Sequence, residues 1–204
     1  MNKFQSIINR NRKVLHGLIP IIVFAVCFIV RGGIAAADVT KVEARAIVQV
    51  SEGDEWRYFK GTTKPPYKWT DAGFDDSNWQ KGLTGIGYGR GNRTYLGDMQ
   101  GNYSTVYARR QFTINDIYSV TGMTLSIACD GAFIAYLNGV EMIRNASVNT
   151  TASAERLDIS GFIHELLPGK NVLSVECSND DINSKDFSFI PVFVVLEHQG
   201  GQTK

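Results

Sequence analysis

The sequence predicts an all-β chain, an antiparallel β-sandwich of the jelly-roll or immunoglobulin kind, on three observations. Several short segments alternate apolar and polar residues at period two. Clusters of Gly, Asn and Asp separate those segments at strand-like spacing. Hardly any stretch carries a helical period, so nothing suggests the crossover helices of a parallel sheet.

In chain order, Ala44–Val50 supplies a first strand. Thr105–Ile114 sets Val106, Ala108, Phe112 and Ile114 against Tyr107, Arg109, Gln111 and Thr113, the pattern of a half-buried strand. Leu125–Cys129 and Phe133–Leu137 flank Asp130-Gly131, a signal for a tight hairpin. Asn171–Cys177 and Phe187–Leu196 give two more apolar runs, and Ile159–Leu167 forms at most a short helical turn, ended by Pro168-Gly169.

The 204 residues carry 21 basic and 20 acidic side chains. Five of the basic ones fall in residues 1–37, which hold no acid, so the remainder has 21 − 5 = 16 basic against 20 acidic, a net −4. That balance argues against a nucleic-acid partner. The basic stretch through Lys13, the apolar run Leu15–Val30 and the small residues Ala35–Ala37 read as a secretory signal peptide. A membrane anchor is the alternative, although the run is shorter than the roughly 20 residues a spanning helix needs. The expected organisation is a signal peptide at 1–37, a sandwich domain at 38–196 and a tail at 197–204, in a protein that is secreted or held at the cell surface.

Beyond the signal segment only Cys129 and Cys177 remain, each in the apolar phase of a strand. Two readings stay open: buried free thiols acting as small hydrophobes, or a disulfide favoured by an oxidising compartment. No further Cys or well-spaced His joins them as a metal set.

Several ordered motifs together carry a family resemblance. Trp56, Tyr58, Gly61, Pro65 and Trp69 lead to Phe74-Asp75-Asp76-Ser77, Trp79, Gly82 and Gly87-Tyr88-Gly89. Downstream come Tyr107–Phe112 with its arginines, Asp130-Gly131-Ala132, Tyr136-Leu137-Asn138-Gly139 with Glu141, Gly169–Glu176 and the segment Asn179–Phe189. Over roughly residues 50–196 this resembles the galactose-binding-like jelly-roll domains of bacterial secreted and surface proteins, which are similar to carbohydrate-binding modules. Cys129 departs from the pattern, standing where the first of two acids is expected before the glycine. The resemblance implies a sandwich of the type used by non-catalytic sugar-binding modules and by the N-terminal domains of some glycosidases, with Trp56 and Trp79 as framework residues. The same fold also serves as a spacer or a protein-contact surface, so other extracellular proteins are alternative partners.

Catalytic constellations are thin. His164 and His198 stand apart, no G-x-S-x-G elbow occurs, and Gly85-x-Gly87-x-Gly89 lacks the following helix that phosphate binding needs. No cofactor motif is present, and the chain is read as a non-enzyme, with a small polysaccharide hydrolase or lyase as the competing class. A structural calcium is weighed at Asp181, Asn183 and Asp186, whose oxygens are closely spaced, against solvated turns that bond their own backbone. For a glycan ligand, a polysaccharide or a surface glycan, the long segment Gly85–Tyr103 is the leading candidate: Tyr88 or Tyr95 would stack on a sugar ring and Arg90 bond its hydroxyls. A loop folded over the sandwich edge is the structural alternative for that segment. Trp69, Asn138 and Arg144 are further candidates, Asn138 with the competing role of shaping its Asn-Gly turn. Four N-x-S/T sequons, at Asn92, Asn102, Asn145 and Asn149, would bear glycans only in a eukaryotic source.

Overall fold

The computed structural model describes residues 44–89, 91–145 and 156–198. The signal-peptide reading of 1–37 and the candidate Arg90 lie outside those residues. Twelve strands are described: β1 (Ala44–Val50), β2 (Glu55–Lys60), β3 (Gln80–Leu83), β4 (Ile86–Tyr88), β5 (Thr94–Tyr95), β6 (Thr105–Ile114), β7 (Val120–Cys129), β8 (Phe133–Leu137), β9 (Val140–Asn145), β10 (Leu157–Asp158), β11 (Gly169–Ser178) and β12 (Phe187–His198). The only helical segments among the described residues are 3-10 turns at Ile117–Ser119 and Ser160–Glu165. The second of these lies in the stretch predicted to turn before Pro168-Gly169.

Two sheets form the sandwich. The first runs β10-β7-β12-β4-β5, with β1 also paired to β12, and the second runs β3-β2-β6-β11-β8-β9. Every pairing is antiparallel except the short β4–β5 ladder. β12 pairs with β7 from Phe189 to Glu197 and receives β4 at one end and β1 at the other. It continues to His198, two residues past the predicted domain end, because Ala44 of β1 pairs there.

Alternation decides which side chains meet between the sheets. Val106, Ala108, Phe112 and Ile114 of β6, with Leu173 and Val175 of β11, face Leu125, Ile127, Phe189 and Phe193 across one continuous buried cluster. Trp56 meets Phe189 edge-on at 5.3 Å between ring centres and Phe112 meets Phe193 at 5.1 Å, geometry that suits the ring quadrupoles.

Asp130-Gly131 is not a hairpin turn. β7 belongs to the first sheet and β8 to the second, so this dipeptide carries the chain from one layer to the other. Gly131 is required by close approach: a Cβ there would lie 2.5 Å from the Ser178 carbonyl oxygen and 2.6 Å from the Asp180 carboxylate. Beside the crossing, Cys129 of β7 and Cys177 of β11 form a disulfide with their Cα atoms 6.3 Å apart, joining the two layers at that end. The tight hairpin lies one strand later, where Asn138 (φ 51°) and Gly139 (φ 97°) turn β8 into β9 with the positive φ pair of an Asn-Gly turn.

Candidate functional site

A cleft of about 470 Å³ with convergent polar groups lies on the outer face of the second sheet. Its floor comes from three adjacent strands. Tyr107 of β6 stands directly across from Glu176 of β11, and Tyr136 of β8 stands across from Ser174, one outward position along β11. Period-two alternation puts all four on the face turned away from the core. The opposite wall is residues 64–71, part of the connection from β2 to β3. This connection forms a strap over the sheet, and it reaches the β8–β9 turn, where the Asp71 carboxylate lies 2.9 Å from where a Gly139 Cβ would be.

The strap is held by successive short turns and by one buried cation. Backbone N–H groups of Trp69, Asp71, Phe74 and Trp79 each donate to the carbonyl three residues back. Arg109 projects outward from β6, yet its side chain is 0% exposed because the strap covers it. Its Nε donates to Asp76 Oδ2 at 2.8 Å, Nη2 to the Asp71 carbonyl at 3.1 Å, and Nη1 to the Trp69 carbonyl. The guanidinium also lies 5.1 Å from the centre of the Phe74 ring. A planar fork of five donors is the one side chain able to satisfy so many buried carbonyls from a single strand position.

Around this lock the rings form one network. Trp69 stacks on Trp79 at 5.9 Å and meets Tyr107 and Tyr136 edge-on at 5.3 and 5.8 Å. Trp69 is half-buried with part of its surface on the cleft, and Tyr67 beside it is 90% exposed. Burial pushes the Tyr107 and Tyr136 hydroxyls above their ordinary pKa, and the Glu176 charge adds to the effect. Glu176 is itself raised, chiefly by burial, with Arg144 and Lys64 opposing. The cleft thus presents exposed ring surface, hydroxyl groups, two carboxylates and the strap lysines: apolar faces for C–H groups and acceptors for hydroxyls.

The predicted site residues do not converge. Trp69 lines the cleft. Arg144 lies on β9, paired with Glu141 at 2.8 and 3.0 Å, and borders a smaller hollow of about 180 Å³ that also touches Glu176. Tyr88 is not available to a ligand. It is 5% exposed, and its hydroxyl donates to the Ser184 carbonyl at 2.9 Å and accepts from Asn179 Nδ2 at 3.1 Å. Tyr95 is 71% exposed, on the β5 edge of the other sheet, away from the cleft. The segment Gly85–Tyr103 is anchored at intervals: Leu96, Met99 and Tyr103 are buried, and the Asn92 amide donates to the Tyr88 and Phe187 carbonyls while its oxygen accepts from Ser188.

Asn138 is a structural residue as well. Its Nδ2 donates to the Glu165 carbonyl and to Asn171 Oδ1, both at 2.8 Å, and its Oδ1 accepts from the Val172 N–H at 2.8 Å. Asp181 accepts the N–H of Asn183 in a local turn at 2.9 Å, and the Asp186 carbonyl accepts from Asn179. Among the described residues no three His, Cys, Asp or Glu side chains group as metal ligands.

Tyr67, Tyr107, Tyr136 and Glu176 were not singled out as ligand contacts from sequence. The available signal was the outward phase of β6, β8 and β11, where large rings and an acid replace the small polar residues of a bare solvated face.

No protein-family model and no curated protein matches the chain. Solved structures do. A calcium-binding mutant of Bacteroides uniformis β-glucuronidase 2 aligns with a TM-score of 0.52 at 17% identity, over 75% of this chain and 18% of that one. Bifidobacterium dentium β-glucuronidase complexed with coumarin-3-O-glucuronide aligns at 0.51 and 14%, over 74% of this chain and 30% of that one. The chain therefore spans less than a third of the length of the glycosidases it resembles, and what it shares with that part of them is the β-sandwich fold.

Proposed function

We propose that this chain is a non-catalytic carbohydrate-binding domain that acts on extracellular or cell-surface glycans through the strapped cleft. One observation carries the reading: exposed and half-exposed rings of Tyr67 and Trp69 converge with the Tyr107 and Tyr136 hydroxyls and the Glu176 carboxylate on a single concavity. A pyranose has an apolar C–H face and a rim of hydroxyls, and this cleft offers a complement to both. The fold shared with a portion of several β-glucuronidases supports a carbohydrate setting, and the signal-like N-terminal sequence supports one outside the cytoplasm.

The test is retention of the purified protein on insoluble polysaccharides and on a glycan array, beside Tyr67→Ala. Tyr67 is 90% exposed, so its truncation leaves the core intact. A lost stacking contact of about 1 kcal/mol weakens binding roughly fivefold at an unchanged melting temperature. Failure of the parent to bind any glycan, or unchanged binding by the variant, overturns the proposal.

A further inference from the structure

We infer that Glu176 makes this cleft selective for glycans of neutral sugars, accepting hydroxyl donors at its floor and turning away uronates. The inference rests on the carbohydrate reading above and names the sugar class.

Its basis is the placement of one carboxylate. Glu176 lies near the middle of the outer face, facing Tyr107 on one neighbouring strand and Ile134 on the other. It borders both the cleft and the smaller hollow beside Arg144, so it stands where the two concavities adjoin. It is half-buried, and no described residue gives its side chain a hydrogen bond or an ion pair. The cations that face it leave it unpaired: the Arg144 guanidinium is held by both oxygens of Glu141, and Lys64 sits on the exposed strap. The other carboxylate lining the cleft is Asp71.

A partly desolvated carboxylate without donors is an acceptor of up to four hydrogen bonds. Two adjacent sugar hydroxyls supply two such donors, and bonds to a charged acceptor are stronger than neutral ones. A uronate brings a third negative charge beside Glu176 and Asp71; Lys64 and Lys68 also line the cleft, but on the exposed strap where solvent screens them, while the charge of the half-buried Glu176 is screened less. Shape alone cannot separate the two sugars, because a hexuronate differs from its hexose only at one carbon. Charge at the floor can.

The experiment measures retention of the full chain on neutral polymers (cellulose, galactan, mannan) and on uronate polymers (polygalacturonate, alginate), for the parent and for Glu176→Gln. The parent is expected to hold at least one neutral polymer at least tenfold more tightly than either uronate polymer, with a gap that narrows as salt is added. Glu176→Gln keeps the shape and removes the charge, so it should bind the neutral polymer severalfold less well and the uronates better. Equal or tighter binding of uronates by the parent, or a preference unaltered in the variant and by salt, overturns the inference while leaving the carbohydrate reading standing. A parent that binds neither class overturns both.

Discussion

Asp130 is the buried acid whose titration should dominate stability near neutral pH. It follows β7 at the crossing between the sheets, and its Oδ2 is sealed from solvent with no partner among the described residues. Burial pushes its pKa up from 3.8 to about 6, and the neighbouring Asp186 and Asp180 carboxylates push it further in that direction, against one stabilising N–H from Ser188. A raised folded-state pKa means that the folded chain binds the proton more tightly than the unfolded chain does. The stabilisation is complete below about pH 4 and disappears as pH rises through 6. A difference of about two pH units at 1.36 kcal/mol each sets the swing at ~3 kcal/mol. Asp130→Asn keeps an acceptor for the Ser188 N–H and never ionises. Urea unfolding of the disulfide-intact protein from pH 4 to pH 8 should therefore show parent and variant close together at pH 4, and the variant ahead by ~1–3 kcal/mol at pH 7. The difference between the two proteins cancels the other carboxylates, several of which titrate in the opposite direction. A constant difference across the whole pH range would refute the reasoning.

Two further outcomes follow from the cross-links. Arg109→Met retains the aliphatic stem but strips donors from the carbonyls of Trp69 and Asp71 and leaves Asp76 uncompensated; a loss of about 3–5 kcal/mol is expected, read by thermal melting together with tryptophan fluorescence. Cys129 and Cys177 close a sequence separation of 48 residues, so their joint replacement by Ala, or reduction of the parent, should lower stability by ~4 kcal/mol on the chain-entropy estimate.

The strands were legible because a sandwich core imposes period two on every strand that borders it. β6 and β8 occupy the ranges that alternation gives, since each has one face on the core. The crossing at Asp130-Gly131 was misread because Asp-Gly reports local backbone permissiveness, and the same glycine serves equally where another chain segment presses close. Tyr88 was misread for a related reason. Glycines and arginines around it suggest an open loop, while its burial depends on Ser184 and Asn179, more than ninety residues away in sequence. The strap was the least legible part. Nothing in residues 61–79 alone says which face they cover; the clue was Arg109, a charged residue in the middle of an apolar strand, which a solvated face would tolerate but a buried one must satisfy.

That arrangement ties binding to local stability. The Arg109 lock and the cleft-facing rings meet in one segment: Trp69 gives its carbonyl to Arg109 and its ring to the cleft, with Tyr107 and Tyr136 against its edges. A glycan seated on these rings binds the closed strap and not the opened one, so it must stabilise the strap by mass action, about 2.7 kcal/mol at a concentration 100-fold above Kd. The two halves of the segment can be separated experimentally. Weakening the lock at Arg109 should lower both the melting temperature and the affinity, because part of the binding energy then goes into closing the strap. Removing Tyr67 should lower the affinity alone, since that ring takes no part in the aromatic contacts or hydrogen bonds that hold the strap down.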